Sequence, residues 1–161
     1  MPPHASPESR RPARPGAGMT LIELLTVLAV VAVLAVVAVP TYREAVVRAR
    51  RSEGQAALLK LMQQQERHYT RHARYVAFDA ASQDAEARRF AWHSGNAAGS
   101  SAYELSAAAC EGATLDECVV VTATPGTDRV DRHFRDPQCG TLALTSNGIR
   151  SAAGPATACW R

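Results

Sequence analysis

Cysteine is absent from this sequence until Cys110. The four present, Cys110, Cys118, Cys139 and Cys159, include no Cys-x-x-Cys pair. A zinc ribbon or a thioredoxin-like redox centre is therefore disfavoured. A nucleophile elbow, a phosphate loop and a recognisable acid/base set are also missing, so no catalytic site and no cofactor are read here. No internal repeat is present. The excess of positive charge is small, 18 Lys and Arg against 15 Asp and Glu for a net of +3, so bulk electrostatics do not favour nucleic acid as a partner. Long apolar runs are missing too, with one exception.

The exception runs from Met19 to Val39 and stops at Pro40. Its 21 residues match the roughly 20 needed to cross a bilayer as a helix. One ionisable side chain stands inside it, Glu23. A carboxylate at a helix centre costs about 2.5–3.5 kcal/mol on insertion scales, and less near an interface. Glu23 therefore needs a partner. Cutting the chain after Gly18 would supply one, because the new α-amine of Met19 would lie one helical turn away or reach Glu23 from a neighbouring copy. Residues 1–18 are Pro-rich and carry Arg10, Arg11 and Arg14. Positive charge beside an apolar helix favours the cytoplasmic side, which sends everything after Val39 across the membrane. An ordinary signal peptide has a shorter apolar core and a small-residue cleavage site; this run is longer and continues into further helix.

A basic leader ending at Gly18, then Met19-Thr20-Leu21-Ile22-Glu23 and an unbroken apolar stretch, resembles the class III signal of type IV pilins and pseudopilins. Arg48 through Leu59, Gln65 through Tyr69, and the ending from Cys139-Gly140 through Asn147-Gly148 to Cys159-Trp160 resemble PilE-like minor pilins. The resemblance implies cleavage by a prepilin peptidase between Gly18 and Met19, and N-methylation of Met19 by the same enzyme. It also implies a filament-assembly role for Glu23, close helix packing at Thr20 and a helix kink at Pro40. Partners would be other major and minor pilins, an inner-membrane assembly platform, and lipid before assembly. The protein would stand in the inner membrane with a periplasmic head, then in the extracellular pilus, serving twitching motility, adhesion or DNA uptake. Rival readings are a major pilin, a type II secretion pseudopilin, a DNA-binding receptor pilin and a single-pass anchored periplasmic protein.

Four cysteines beyond the crossing favour two disulfides in an oxidising compartment, and the spacing alone allows three pairings. Local turns together with the pilin-like ending imply Cys110–Cys118 and Cys139–Cys159. The expected fold is α+β: a type IV pilin fold in which a long N-terminal helix packs on a roughly four-stranded antiparallel sheet with a disulfide-bonded C-terminal region. The expected divisions are a leader over 1–18, a membrane or filament-core helix over 19–40, an amphipathic helix over 41–75, and a connection plus sheet over 76–161. Tyr42, Ala45, Val46 and Ala49, then Leu58, Leu61, Met62, Gln65 and Tyr69, recur at helical spacing, with Arg43, Arg48, Arg50, Arg51, Lys60 and Arg67 on other faces. Residues 75–102 read as an extended connection, with a short helix from Ser82 to Phe90. Strands are expected at Tyr103–Ser106, Val119–Thr124, Thr141–Thr145 and Ile149–Ser151, the last two joined at Asn147-Gly148.

Two further clusters are read as surface features. His68 and His72 have the i, i+4 spacing of a two-His metal site, but no third ligand is evident, so no metal is assigned. Arg129, Arg132, His133 and Arg135 are interrupted by Asp128, Asp131 and Asp136, which reads as a solvated loop. A nucleic-acid role would require that loop to be exposed and its binding salt-sensitive. Trp160 is expected to pack against the head.

Overall fold

The computed structural model describes residues 18–155 and 158–160. The leader expected over 1–18 lies outside these residues, except for Gly18. The element order is a helix α1 (Leu21–His72) followed by four strands, β1 (Tyr103–Ala109), β2 (Val119–Pro125), β3 (Leu142–Thr145) and β4 (Arg150–Ala152). The chain divides into two compact units, the first ending at Thr41 and the second running from Tyr42 to Arg161.

In the first unit, Leu21, Ile22, Leu28, Val33, Leu34 and Val36 are all more than half exposed. In water such a surface would collapse or aggregate. In lipid it is the correct solvent-facing surface, and an internally hydrogen-bonded helix is the form that satisfies the backbone there. Pro40 lies inside α1 and removes one N–H from its ladder.

The second unit is built on a different stripe of α1. Arg51, Gly54, Leu58, Leu61 and Gln65 are buried, at alternating steps of three and four. Tyr42, Ala45, Val46 and Ala49 are exposed, contrary to their expected place on the buried face; cover begins with the half-buried Val47. Arg51 corrects the expectation in the opposite sense, since it belongs to the buried stripe. Gly54 admits Tyr103, because a Cβ there would stand 2.8 Å from the ring. The helix closes at Ala73, whose φ of +53° turns the chain out, after a last turn carrying Arg71, a charge that suits the negative end of the dipole.

The sheet runs in the order β1-β2-β3-β4, antiparallel throughout. Alternation sends Tyr103, Leu105, Ala107, Val119, Val121, Ala123, Leu142 and Leu144 inward, where they form one core with Leu58 and Leu61. Burying each Leu or Val contributes about 1.5–3 kcal/mol before entropy is counted. The Asn147-Gly148 turn places Gly148 at φ +80°, its N–H donating to Thr145 O at 2.9 Å.

Residues 75–102 are packed, not merely extended. Tyr75, Val76, Phe78, Ala87 and Phe90 are buried. Phe78 exchanges both backbone hydrogen bonds with Ala107, and its ring stacks on Phe90 at 5.2 Å. Gln65 clamps Val76, donating to its carbonyl at 2.7 Å and accepting from its N–H at 2.9 Å. The helix expected from Ser82 to Phe90 shrinks to a single 3₁₀ turn, Ala87–Arg89. Asp84 accepts the N–H groups of Glu86 and Ala87 at 3.0 Å each, and the short turn lets Ala87 and Phe90 both reach the core.

Candidate functional site

The N-terminal residues singled out by sequence sit together at the start of α1. Thr20 and Glu23 form a reciprocal cap: the Thr20 N–H donates to Glu23 Oε2 at 3.4 Å, and the Glu23 N–H donates to Thr20 Oγ1 at 3.3 Å. This is a capping box, in which two helix-end donors are satisfied by side chains three positions apart in sequence. Thr20-Leu21-Ile22-Glu23 is the sequence signature of such a box, a signal additional to the apolar run and its lone carboxylate. Gly18 has open space around it, and Met19 is 60% exposed.

In the head, the two cystines are Cys110–Cys118 and Cys139–Cys159. The first closes the turn between β1 and β2. The second ties the chain before β3 to the segment after β4, where Gln55 of α1 donates to the Cys159 carbonyl. Trp160 packs back as expected, its indole N–H donating to Ser151 O at 2.8 Å.

The loop after β2 is solvated at its basic residues, as expected, since Arg129, Arg132, His133 and Arg135 are all exposed, but it is anchored from beneath. Val130, Phe134 and Asp136 are buried. Asp136 receives Arg51 through two bonds, Nε to Oδ2 at 2.7 Å and Nη2 to Oδ1 at 2.6 Å. Tyr103 Oη donates to it at 2.9 Å and the Cys139 N–H at 3.1 Å. Burial alone raises the Asp136 pKa, but the bonds from Arg51, Tyr103 and the Cys139 N–H outweigh it and hold the carboxyl below its ordinary value. Burial, reinforced by Asp136, pushes the Tyr103 phenol up. Arg129 pairs with Glu104 at 3.4 Å, and Arg135 Nη1 donates to the carbonyls of Gly126, Arg132 and Phe134. Arg132 and His133 are exposed.

A second basic surface was missed. Arg67, Arg71, Arg74, Arg88 and Arg89 are all exposed, and Arg67, Arg71 and Arg89 line one concavity with Gln64, His68, His72, Glu86 and Phe90. The residues come from the end of α1 and the connection, so no contiguous motif announced them.

Residues 40–143, from Pro40 through the start of β3, match the family described as type IV minor pilin ComP, DNA uptake sequence receptor. The chain belongs to this family of minor pilins. Residues 14–39 of this minor pilin match the prokaryotic N-terminal methylation motif. Its apolar helix anchors it in the inner membrane until it is incorporated into the pilus, and the motif implies processing by a prepilin peptidase and contact with other pilins. A type IV pilin from Shewanella oneidensis is 28% identical, over 71% of this chain and 98% of that one, with a TM-score of 0.45. The non-core minor pilin PilV of Neisseria meningitidis is 17% identical, over 71% of this chain and 93% of that one, with a TM-score of 0.45. No curated protein matches significantly. The major-pilin and secretion-pseudopilin readings give way to the minor pilin.

Proposed function

We propose that this minor pilin serves DNA uptake, its head holding duplex DNA by the phosphate backbone. The carrying observation is the match over 40–143 to a family described as DNA uptake sequence receptors. The exposed arginines at the end of α1 and on the connection support it. Arg67, Arg71 and Arg89 share one concavity, and clustered arginines are the usual phosphate ligands. The earlier candidate loop is the poorer choice, because Arg129 and Arg135 already have protein partners. Binding should therefore be salt-dependent. In fluorescence anisotropy with the full-length protein in detergent, replacing Arg67, Arg71 and Arg89 together by Ala should weaken binding and flatten the salt slope by about 0.9 per lost phosphate contact. An unchanged affinity and slope would remove these arginines from the interface; absence of DNA binding by the parent would end the reading.

The same proposal assigns the N-terminus. Cleavage falls between Gly18 and Met19, and the Met19 α-amine is methylated. Glu23 meets the amine of a neighbouring subunit in the filament core, where an uncompensated carboxylate is penalised and a registered ammonium offsets the cost. Thr20 packs close to the adjacent helix, Pro40 bends α1, and the inner-membrane platform extracts the helix from lipid.

A further inference from the structure

We propose that His68, His72 and Glu86 form a binding site for a divalent transition-metal ion of the zinc class. His68 and His72 lie one turn apart on α1, with ring centroids 4.3 Å from each other. Sequence offered no third ligand. The fold supplies Glu86 from the connection, its Oε1 standing 3.5 Å from His68 Nε2. One donor atom from each residue lies within 4.8 Å of the other two. Donors 2.0–2.2 Å from a tetrahedral ion sit about 3.3–3.6 Å apart. The His68–Glu86 pair already meets that spacing. His72, exposed at the last position of α1, has to move by about 1 Å on the same geometric scale.

The two arms of the site are held independently. His68 lies on α1 between the core positions Leu61 and Gln65 and the helix end, and its side chain is only 14% exposed. Glu86 directly precedes the 3₁₀ turn whose Ala87 and Phe90 are buried, and Asp84 fixes its backbone N–H. The His68 ring also meets Phe90 edge-on at 6.4 Å, which limits its rotation. Two imidazoles and one carboxylate suit zinc, nickel or copper rather than calcium or magnesium, which take all-oxygen sets. Three protein donors leave a tetrahedral position for water or an anion. Arg67, Arg71 and Arg89 line the same concavity; they oppose a bare cation but favour one carrying an anion in that position. The competing account of these three residues is a histidine–carboxylate ion pair with no metal.

The inference stands apart from the DNA reading and is tested without DNA. Full-length protein, purified in detergent without a histidine tag and stripped with EDTA, is titrated calorimetrically with zinc chloride and with nickel chloride. One equivalent per chain is expected, with a raised unfolding temperature on loading. Glu86→Gln and His72→Ala should each weaken binding by at least about tenfold, the smallest loss usual even for outer-shell partners of a metal site. Their metal-free unfolding temperatures should stay close to the parent's, since both side chains are on the surface. No saturable binding by the parent would overturn the assignment in favour of the ion pair alone, and binding unchanged in Glu86→Gln would overturn it by placing the metal on other ligands.

Discussion

Asp136 is the residue on which the head's charge balance turns. Removing its charge leaves the Arg51 guanidinium buried and unpaired, and breaking one side of such a pair costs about 3–5 kcal/mol. Asp136→Asn should therefore lower the unfolding temperature sharply. The double change of Arg51→Met with Asp136→Leu should recover part of the loss, because burying two charges costs nearly what their attraction returns, while the Tyr103 hydroxyl and the Cys139 N–H still lose their acceptor. The same site sets an acid limit. A carboxyl held below its ordinary value contributes stability that is fully present above about pH 3.9 and is lost as pH falls through the lower folded value. Denaturant unfolding from pH 7 to pH 2 should show that loss in the parent and a smaller one in the apolar double variant. Gly54 carries a steric version of the same dependence. A Cβ 2.8 Å from the Tyr103 ring is overpacking, so Gly54→Ala should cost about 1–3 kcal/mol despite its better helix propensity.

Among the elements, the two cystines should differ in weight. Cys139–Cys159 spans 20 residues and Cys110–Cys118 eight. The chain-entropy account assigns them about 3.3 and about 2.5 kcal/mol. Cys110–Cys118 also follows the Ala109↔Val119 pair of β1 and β2, which already holds its ends together. Replacing Cys139 and Cys159 by Ser should thus lower the melting temperature more than replacing the shorter pair. Strand β1 was legible because a half-buried strand advertises itself with period two, as Tyr103, Leu105 and Ala107 do, and β3 and β4 because they flank the Asn147-Gly148 turn. The connection was not, since its buried Tyr75, Val76, Phe78, Ala87 and Phe90 follow no period and are ordered by distant partners, Gln65 on α1 and Ala107 on β1 among them. The charge of Arg51 argues for exposure, but its position three before Gly54 and seven before Leu58 puts it on the buried stripe. Its partner stands 85 residues away, and no local pattern reports that distance. Glu86 escaped for the same reason.

For the whole molecule, the N-terminus and the head should be separable by mutation. Glu23→Ala should leave the protein inserted and its head folded, because the Glu23 carboxylate bonds to the Thr20 N–H within its own helical turn. Its recovery in sheared filaments should fall, and recovery equal to the parent's would count against the registered ion pair. Intact mass of protein from those filaments should correspond to a chain beginning at methylated Met19. Cysteine placement adds a mechanical consequence. Helix α1 contains no cysteine, and both cystines close within residues 110–159. The sheet is fastened to α1 by side-chain contacts, Arg51 to Asp136, Gln65 to Val76 and the Leu58–Leu61 core, and by the chain leaving Ala73. In a filament whose core is made of these helices, tension runs along α1 while the sheet rides as a passenger. Strong pulling would then part the seam without breaking a covalent bond, and the sheet, held in shape by its own cystines, could close back onto the helix when the load is released.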